Sequence, residues 1–315
     1  MSKAIKSSIN ALSFIFYYSG LIHYFRKKSG NNVIIFYHEV YDKANLSGSV
    51  LEDISEIDKV DKARLNRHIR YLGKYYKIEK LDEILYNPER RRRAALTFDD
   101  GLRSVFNYFK SRKDDLPYTV FLNTYFYEHG VGIPIHNAYY AKKRRMEIYD
   151  IINGTIKDKH TNNLKLWANF NKESKLDISS LYLSNSDLDE IRCKSNITVG
   201  GHSHSHYRLS SLRPEEQFEE ITKNKQFLEK IFQRRISLFA YPFGVLNKDF
   251  DNLTVDVLRE SGFDFGLSAA RNKGTLDQPY NVPRIWGGNK PIWEFACELE
   301  GVHLKPRKRV THSSS

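Results

Sequence analysis

Short runs of consecutive apolar residues alternate with amphipathic stretches along most of the chain. Val33-Ile34-Ile35-Phe36, Ala94-Ala95-Leu96-Thr97-Phe98, Tyr118 to Leu122, Ile197 to Val199 and Leu238-Phe239-Ala240-Tyr241 read as strands, as do stretches near 264–268 and 282–286. Their near-continuous apolar character is that of strands covered on both faces. Between them lie helical periodicities. Leu65, Ile69 and Leu72 mark a helix within 61–76, and Leu102, Val105, Phe106 and Phe109 fall at i, i+3, i+4 and i+7. Further helices are expected over Ser186–Lys194, over 252–261, and from Pro214 to about Phe232, where Phe218, Ile221, Leu228 and Ile231 form a stripe and Pro214 suits the first helical position. Repeated strand–helix units predict an α/β barrel or wound sheet, with its active site at the strands' C-terminal ends.

Two segments break that rhythm. Residues 126–185 are polar and rich in Lys and Asn, and read as a helical insertion. Residues 1–30 hold an apolar stretch from Ala11 to Phe25, interrupted by Ser13, Ser19 and Gly20 and followed by Arg26, Lys27 and Lys28. That stretch is too short to span a bilayer, and its charge order is not that of a cleavable leader. It is read as an N-terminal amphipathic helix, either lying at a membrane interface or packed on the domain. The expected organisation is 1–30 as this segment, 31–300 as one catalytic domain carrying the insertion, and 301–315 as a basic tail. A cytoplasmic or peripheral-membrane location is expected.

Composition sets limits. At 315 residues with 40% hydrophobic content the chain can build a full core, and two cysteines, Cys193 and Cys297, exclude a disulfide framework and a four-cysteine zinc site. The formal net charge of +12 suits an anionic neighbour, such as a membrane surface or an acidic glycan. It is not matched by a helix-turn-helix, zinc-finger or RNA-recognition pattern, so no nucleic-acid partner is expected.

The polar residues cluster just after strands. Asp99 and Asp100 follow Phe98, His38 follows the first strand, and Arg284 lies in the last; His202, His204 and His206 follow Val199. In a parallel barrel these ends converge on one rim. Two imidazoles and a carboxylate make an open metal site, and a second carboxylate beside the ligand can act as base. Adjacent side chains on an extended segment diverge, so Asp99 and Asp100 face different partners. On a strand all three histidines would share a face; on a helical turn, His202 and His206 would pair and His204 would point away.

Thr97-Phe98-Asp99-Asp100-Gly101, Gly201-His202-Ser203-His204-Ser205-His206 and Phe239-Ala240-Tyr241-Pro242-Phe243-Gly244 resemble the first three motifs of the polysaccharide deacetylases, the NodB-homology group or carbohydrate esterase family 4. Phe36-Tyr37-His38-Glu39-Val40 resembles the opening of the exopolysaccharide-deacetylase branch. The resemblance covers about 31–290, apart from the insertion. It implies a distorted (β/α) barrel and metal-dependent removal of acetyl groups from an N-acetylated glycan. Asp100, His202 and His206 are then the metal ligands, Asp99 the general base, and the Phe243 amide the oxyanion donor, with Tyr241 and His204 near the sugar. The metal implied is Zn, with Co, Ni or Mn also suited to two imidazoles and a carboxylate. Two positions depart from the family. Ala240 replaces the Arg that orients the base, for which Arg284 is the expected substitute. A late Leu-x-x-His is absent, since Leu299 and His303 are one residue too far apart, so His38 or His204 is the expected proton donor. The competing readings are a glycan-binding module without catalysis and an O-acetyl esterase.

Overall fold

A computed structural model describes residues 3–28, 30–42, 58–130, 132–137, 180–269 and 276–302. The apolar runs form parallel strands: β1 (Val33–Tyr37), β5 (Arg93–Phe98), β6 (Tyr118–Leu122), β7 (Ile197–Gly201), β8 (Leu238–Ala240) and β9 (Phe265–Ser268). The run at 282–286 is broken at Arg284 into β10 (Val282–Pro283), which pairs with β9, and β11 (Ile285–Trp286), which pairs with β1. Because one short segment joins both outer edges, the path β10-β9-β8-β7-β6-β5-β1-β11 comes round to a barrel. It is distorted where β4 (Lys77–Ile78) pairs with the start of β5, while the end of β5 pairs with β6. A separate pair, β2 (Glu39–Tyr41) and β3 (Lys59–Asp61), lies after β1.

Period-two alternation explains why the strands are apolar throughout. Val33, Ile35, Tyr37, Leu96, Val120 and Phe239 pack outward in one large cluster with the helices. Ile34, Ala95, Phe121, Leu238, Ala240, Leu267 and Val282 pack together on the inner face with Leu81, Ile84 and Leu85. Each fully buried large side chain contributes about 1.5–3 kcal/mol. The helical periodicities become α3 (Lys62–Tyr75), α4 (Leu81–Tyr86), α5 (Arg103–Lys110), α7 (Asn185–Arg192), α8 (Pro214–Phe232), α9 (Asn252–Glu260) and α10 (Ile292–Leu299), with a short α6 (Tyr125–His129) after β6.

The stripe expected on α8 is only partly realised. Ile221 and Leu228 are buried, but Phe218 is exposed, and the inward face also carries Gln217, Glu220 and Asn224. Most of the insertion at 126–185 lies outside the described residues, as does the tail beyond Val302.

Residues 1–30 begin with α1 (Lys3–Tyr18) and α2 (Ile22–Lys28), and no described helix is long and apolar enough to cross a membrane. One face of α1 docks on α10. The Trp293 indole donates to the Asn10 amide oxygen, Phe14 meets Trp293 edge-on at 5.3 Å, and Cys297 Sγ lies 3.7 Å from the Ser13 carbonyl. Arg26 lies 3.5 Å from the Tyr75 ring centroid and 3.5 Å from buried Glu300. Leu12 and Ile15 on α1, Tyr18 at its end, Leu21 in the turn and Tyr24 on α2 are between 44% and 60% exposed.

Glu39, wholly buried on β2, has among the described residues only the Lys59 ammonium, at 3.4 Å, to offset its desolvation. Burial raises its pKa from the ordinary 4.5 to about 7, against the pull of Lys59. The unfolded chain releases this proton near the ordinary value while the folded chain retains it, so the carboxyl costs stability increasingly as pH rises through that window, to about 3 kcal/mol. Glu39→Gln is therefore expected to be more stable than the parent at pH 8, with the advantage shrinking toward pH 4.5. Urea midpoints at the two pH values measure this; an advantage equal at both would mean that the buried carboxyl is not its source.

Candidate active site

The strand ends bring the expected groups to one rim. The Asp99 amide continues the ladder by donating to the Tyr37 carbonyl at 2.9 Å, so its side chain follows Ala95 and Thr97 to the inner face. Asp100 then adopts φ 71° and Gly101 φ 67°, and the chain leaves the sheet. That left-handed turn sends the two carboxylates apart. At Gly101 an added Cβ would also lie 2.8 Å from Leu122.

Asp100, His202 and His206 are all buried, and one ligating atom of each lies within 4.8 Å of the others. Asp100 Oδ1 is 3.5 Å from His202 Nε2 and 3.4 Å from His206 Nε2. His202 Nδ1 is 2.7 Å from the Ala240 carbonyl, so that nitrogen carries the proton and Nε2 presents its lone pair. Oδ1 of Asp100 is buried with no hydrogen-bond donor among the described residues. An orphaned carboxylate oxygen facing two imidazole nitrogens is a donor set that fits a divalent cation. Burial pushes the Asp100 carboxyl up, but the imidazoles of His136 and His202 hold it well below its ordinary range. Burial lowers His206 to about 3 against the attraction of Asp100, so its imidazole is neutral at pH 7. Burial also lowers His202, but Asp99 and Asp100 outweigh it and raise that pKa.

Arg284, 1% exposed, grips Asp99 with both arms: Nη1 to Oδ1 at 2.7 Å and Nη2 to Oδ2 at 2.9 Å. Its guanidinium lies between the Phe36 and Phe121 rings, at 4.8 and 5.2 Å from their centroids. Burial raises the Asp99 pKa, but Arg284 and then His202 reverse the shift, and the carboxyl stays below its ordinary value. His38, half-buried at the end of β1, adds its field to both aspartates. Phe243, at φ 61° in the turn after β8, sets its ring edge-on to His206 at 4.9 Å.

Two expected neighbours are turned elsewhere. Tyr241 was expected to line the sugar site, but strand alternation puts it on the outer face: it is 1% exposed, stacked on Phe250 at 3.7 Å, and its hydroxyl donates to the Tyr280 carbonyl. His204 is buried against α6, its Nδ1 2.8 Å from Thr124 Oγ1 and its Nε2 3.4 Å from Glu128. The loop is neither strand nor helical turn. Ser203 and His206 take φ 60° and 61°, which brings His202 and His206 together and carries His204 away. Glu128, His129 and His204 form a second trio, whose carboxylate already pairs with Lys223 at 2.9 Å.

Several residues that no motif announced hold this loop. Asn224 on α8 donates to the Leu122 and Ser203 carbonyls at 2.8 and 2.9 Å, and Glu220, one turn earlier, accepts from the Ser205 amide at 2.7 Å. Asn123 donates to the His202 carbonyl, and Ser203 Oγ accepts from the His206 amide at 3.1 Å. Gly201 permits the approach of α8, since a Cβ there would lie 2.5 Å from Asn224 Oδ1. His136 is a further histidine in the site, its Nε2 3.3 Å from Asp100 Oδ2. The only signal for the α8 pair was a polar i, i+4 spacing, which does not stand out on a helix that is polar over most of its length. His136 carried none.

Known proteins resemble this one in sequence and in fold. YxkH of Bacillus subtilis (strain 168), a protein named as a polysaccharide deacetylase, is 23% identical over 82 residues, 26% of this chain and 28% of that relative. The match thus spans little over a quarter of the relative's length. Among solved structures, the Streptococcus pyogenes deacetylase PplD in complex with acetate superposes with TM-score 0.59 at 15% identity, covering 88% of this chain and 99% of that one. IcaB from Ammonifex degensii superposes with TM-score 0.53 at 18% identity, covering 86% and 98%. These likenesses show a shared fold. The polysaccharide deacetylase family profile matches residues 86–265, more than half of the chain and the span that holds both aspartates and the histidine loop, and this protein belongs to that family.

Proposed function

We propose that this protein is a metal-dependent hydrolase that removes N-acetyl groups from an N-acetylated sugar within a polysaccharide. The observation that carries this reading is the buried trio of Asp100, His202 and His206 beside a second carboxylate, Asp99, held ionised by Arg284. Asp100, His202 and His206 hold a divalent cation, Zn before Co, Ni or Mn, which supplies Lewis acidity at the acetyl carbonyl. Asp99 takes a proton from the attacking water, and Arg284 fixes both its oxygens in the orientation for that transfer. The Phe243 amide donates to the oxyanion that develops on the acetyl oxygen. His38, beside both aspartates, gives the leaving amine its proton.

The N-terminal segment adds a location. Leu12, Ile15, Tyr18, Leu21 and Tyr24 form an exposed apolar and aromatic face, and the first 38 residues contain Lys3, Lys6, Arg26, Lys27 and Lys28 but no Asp or Glu. We assign this face to the surface of an anionic bilayer.

Acetate release from N-acetylglucosamine oligomers, with zinc added, tests the reaction. Asp99→Asn is expected to lower the rate by about 100- to 10,000-fold while zinc still binds. A zinc-loaded protein that releases no acetate from any acetylated glycan is a binding module; one that acts only on O-acetyl groups is an esterase. Arg284→Met leaves Asp99 buried without its cation and is expected to cost about 3–5 kcal/mol in urea unfolding. Adding Asp99→Asn to it is expected to cost less than the sum of the single changes. Vesicle sedimentation tests the third point. Leu12→Glu with Ile15→Glu is expected to abolish binding to phosphatidylglycerol vesicles; binding retained by this variant, or a face covered instead by a second copy in sedimentation equilibrium, overturns the assignment.

A further inference from the structure

The two oxygens of Asp100 face different neighbours. Oδ1 faces the imidazoles of His202 and His206, while Oδ2 lies 3.3 Å from Nε2 of His136. His136 is 3% exposed and comes from the segment 132–137, at no strand end. Its other ring nitrogen, Nδ1, lies 2.7 Å from the Tyr182 hydroxyl, and that hydroxyl oxygen accepts the Ile133 amide at 3.1 Å. An ionised carboxylate can only accept, so the imidazole nitrogen that faces it, Nε2 at 3.3 Å from Oδ2, carries the proton, and Nδ1 is left to accept from the Tyr182 hydroxyl. Tyr182 also lies nearly parallel to the imidazole, with ring centroids 5.8 Å apart and 19° between planes, which fixes the plane of the donor.

The same tyrosine is tied to the chain that follows Asp100. Leu102 and Tyr182 form an antiparallel bridge, the Leu183 amide donates to the Gly101 carbonyl at 3.1 Å, and the Arg103 amide donates to the Leu181 carbonyl at 2.9 Å. Backbone and side chain of this aspartate are therefore both braced by the two described ends of the segment between β6 and β7.

We propose that Tyr182 and His136 form a clamp on the metal-ligating carboxylate, a pair of positioning residues that occupies Oδ2 and leaves Oδ1 alone to face the cation. This inference rests on the metal site of the proposed function. A carboxylate with one oxygen tied neither rotates nor chelates through both oxygens, so the cation meets a preformed single donor. Hydrogen-bond partners of metal ligands of this kind are worth about 10- to 100-fold in metal affinity.

The test uses the full chain and zinc alone, with dissociation constants from chelator competition and the visible spectrum of the cobalt-substituted protein. His136→Phe is expected to weaken zinc binding about 10- to 100-fold and to shift the cobalt bands as the freed carboxylate changes its mode of ligation. His136→Gln, which retains an N–H donor, is expected to recover part of the affinity, and Tyr182→Phe to lose less than His136→Phe. A His136→Phe protein with parental circular dichroism and melting temperature, parental zinc affinity and parental cobalt bands overturns the clamp. If His136→Phe does not fold, parental affinity in both His136→Gln and Tyr182→Phe overturns it equally. Failure of the underlying metal site reads differently: the parent itself then binds no more zinc than Asp100→Asn.

Discussion

The ion pair between Arg284 and Asp99 sits where the barrel closes. Arg284 is the residue at which the closing segment breaks into β10 and β11, its amide donates to Ser268 on one side at 3.0 Å, and its guanidinium reaches across the inner face to the end of β5. Closing the sheet and holding the carboxylate are therefore one structural event. As a stability device such a pair is weak, because desolvating both charges consumes most of their attraction. As a way to keep a buried carboxylate charged it is effective, since burial alone would drive Asp99 to its neutral form. The geometry fits the second role: two short parallel hydrogen bonds, aromatic rings close to the guanidinium, and both side chains almost wholly buried.

Left-handed backbone concentrates around the same rim. Asp100, Ser203, His206 and Phe243 all take positive φ, a conformation that costs non-glycine residues free energy and persists only where surroundings over-determine it. Here the surroundings are identifiable. Asn224 and Glu220 reach from α8 to the 202–206 loop, Ser203 caps the His206 amide, and the chain after Asp100 is bridged to Leu181–Leu183. The polar residues on the inner face of α8 form a scaffold that holds the strained 202–206 loop against relaxation.

That scaffold separates what the sequence made legible from what it did not. The strands and long helices could be read because burial on both faces writes itself as consecutive apolar residues, and amphipathic burial as a 3.6-residue period. Asp99, Asp100, His202 and His206 could be located because they follow strands in short motifs. Arg284 could be picked out as a strand-end cation, and its partnership with Asp99 came from the family resemblance, in which an arginine is expected where Ala240 stands. Tyr241 escaped because its motif position suggested the rim while period-two alternation turns it outward. His204 depended on two left-handed residues that no spacing reveals. Asn224, Glu220 and His136 escaped for a common reason: a polar residue buried to hold another polar residue looks, in one dimension, like a surface position.

Ala240 on β8 and Arg284 between β10 and β11 belong to one barrel, and only the second presents a cation to the inner face. The inner face at β8 carries a methyl group, and the cation enters instead from Arg284, in the segment that joins the two outer edges of the strand order. The Arg284 guanidinium meets both oxygens of Asp99, and the inner-face positions around a barrel point toward a common axis. The strand that carries the carboxylate therefore does not dictate which strand supplies the guanidinium: Arg284 reaches Asp99 from the segment between β10 and β11, past the Phe36 and Phe121 rings.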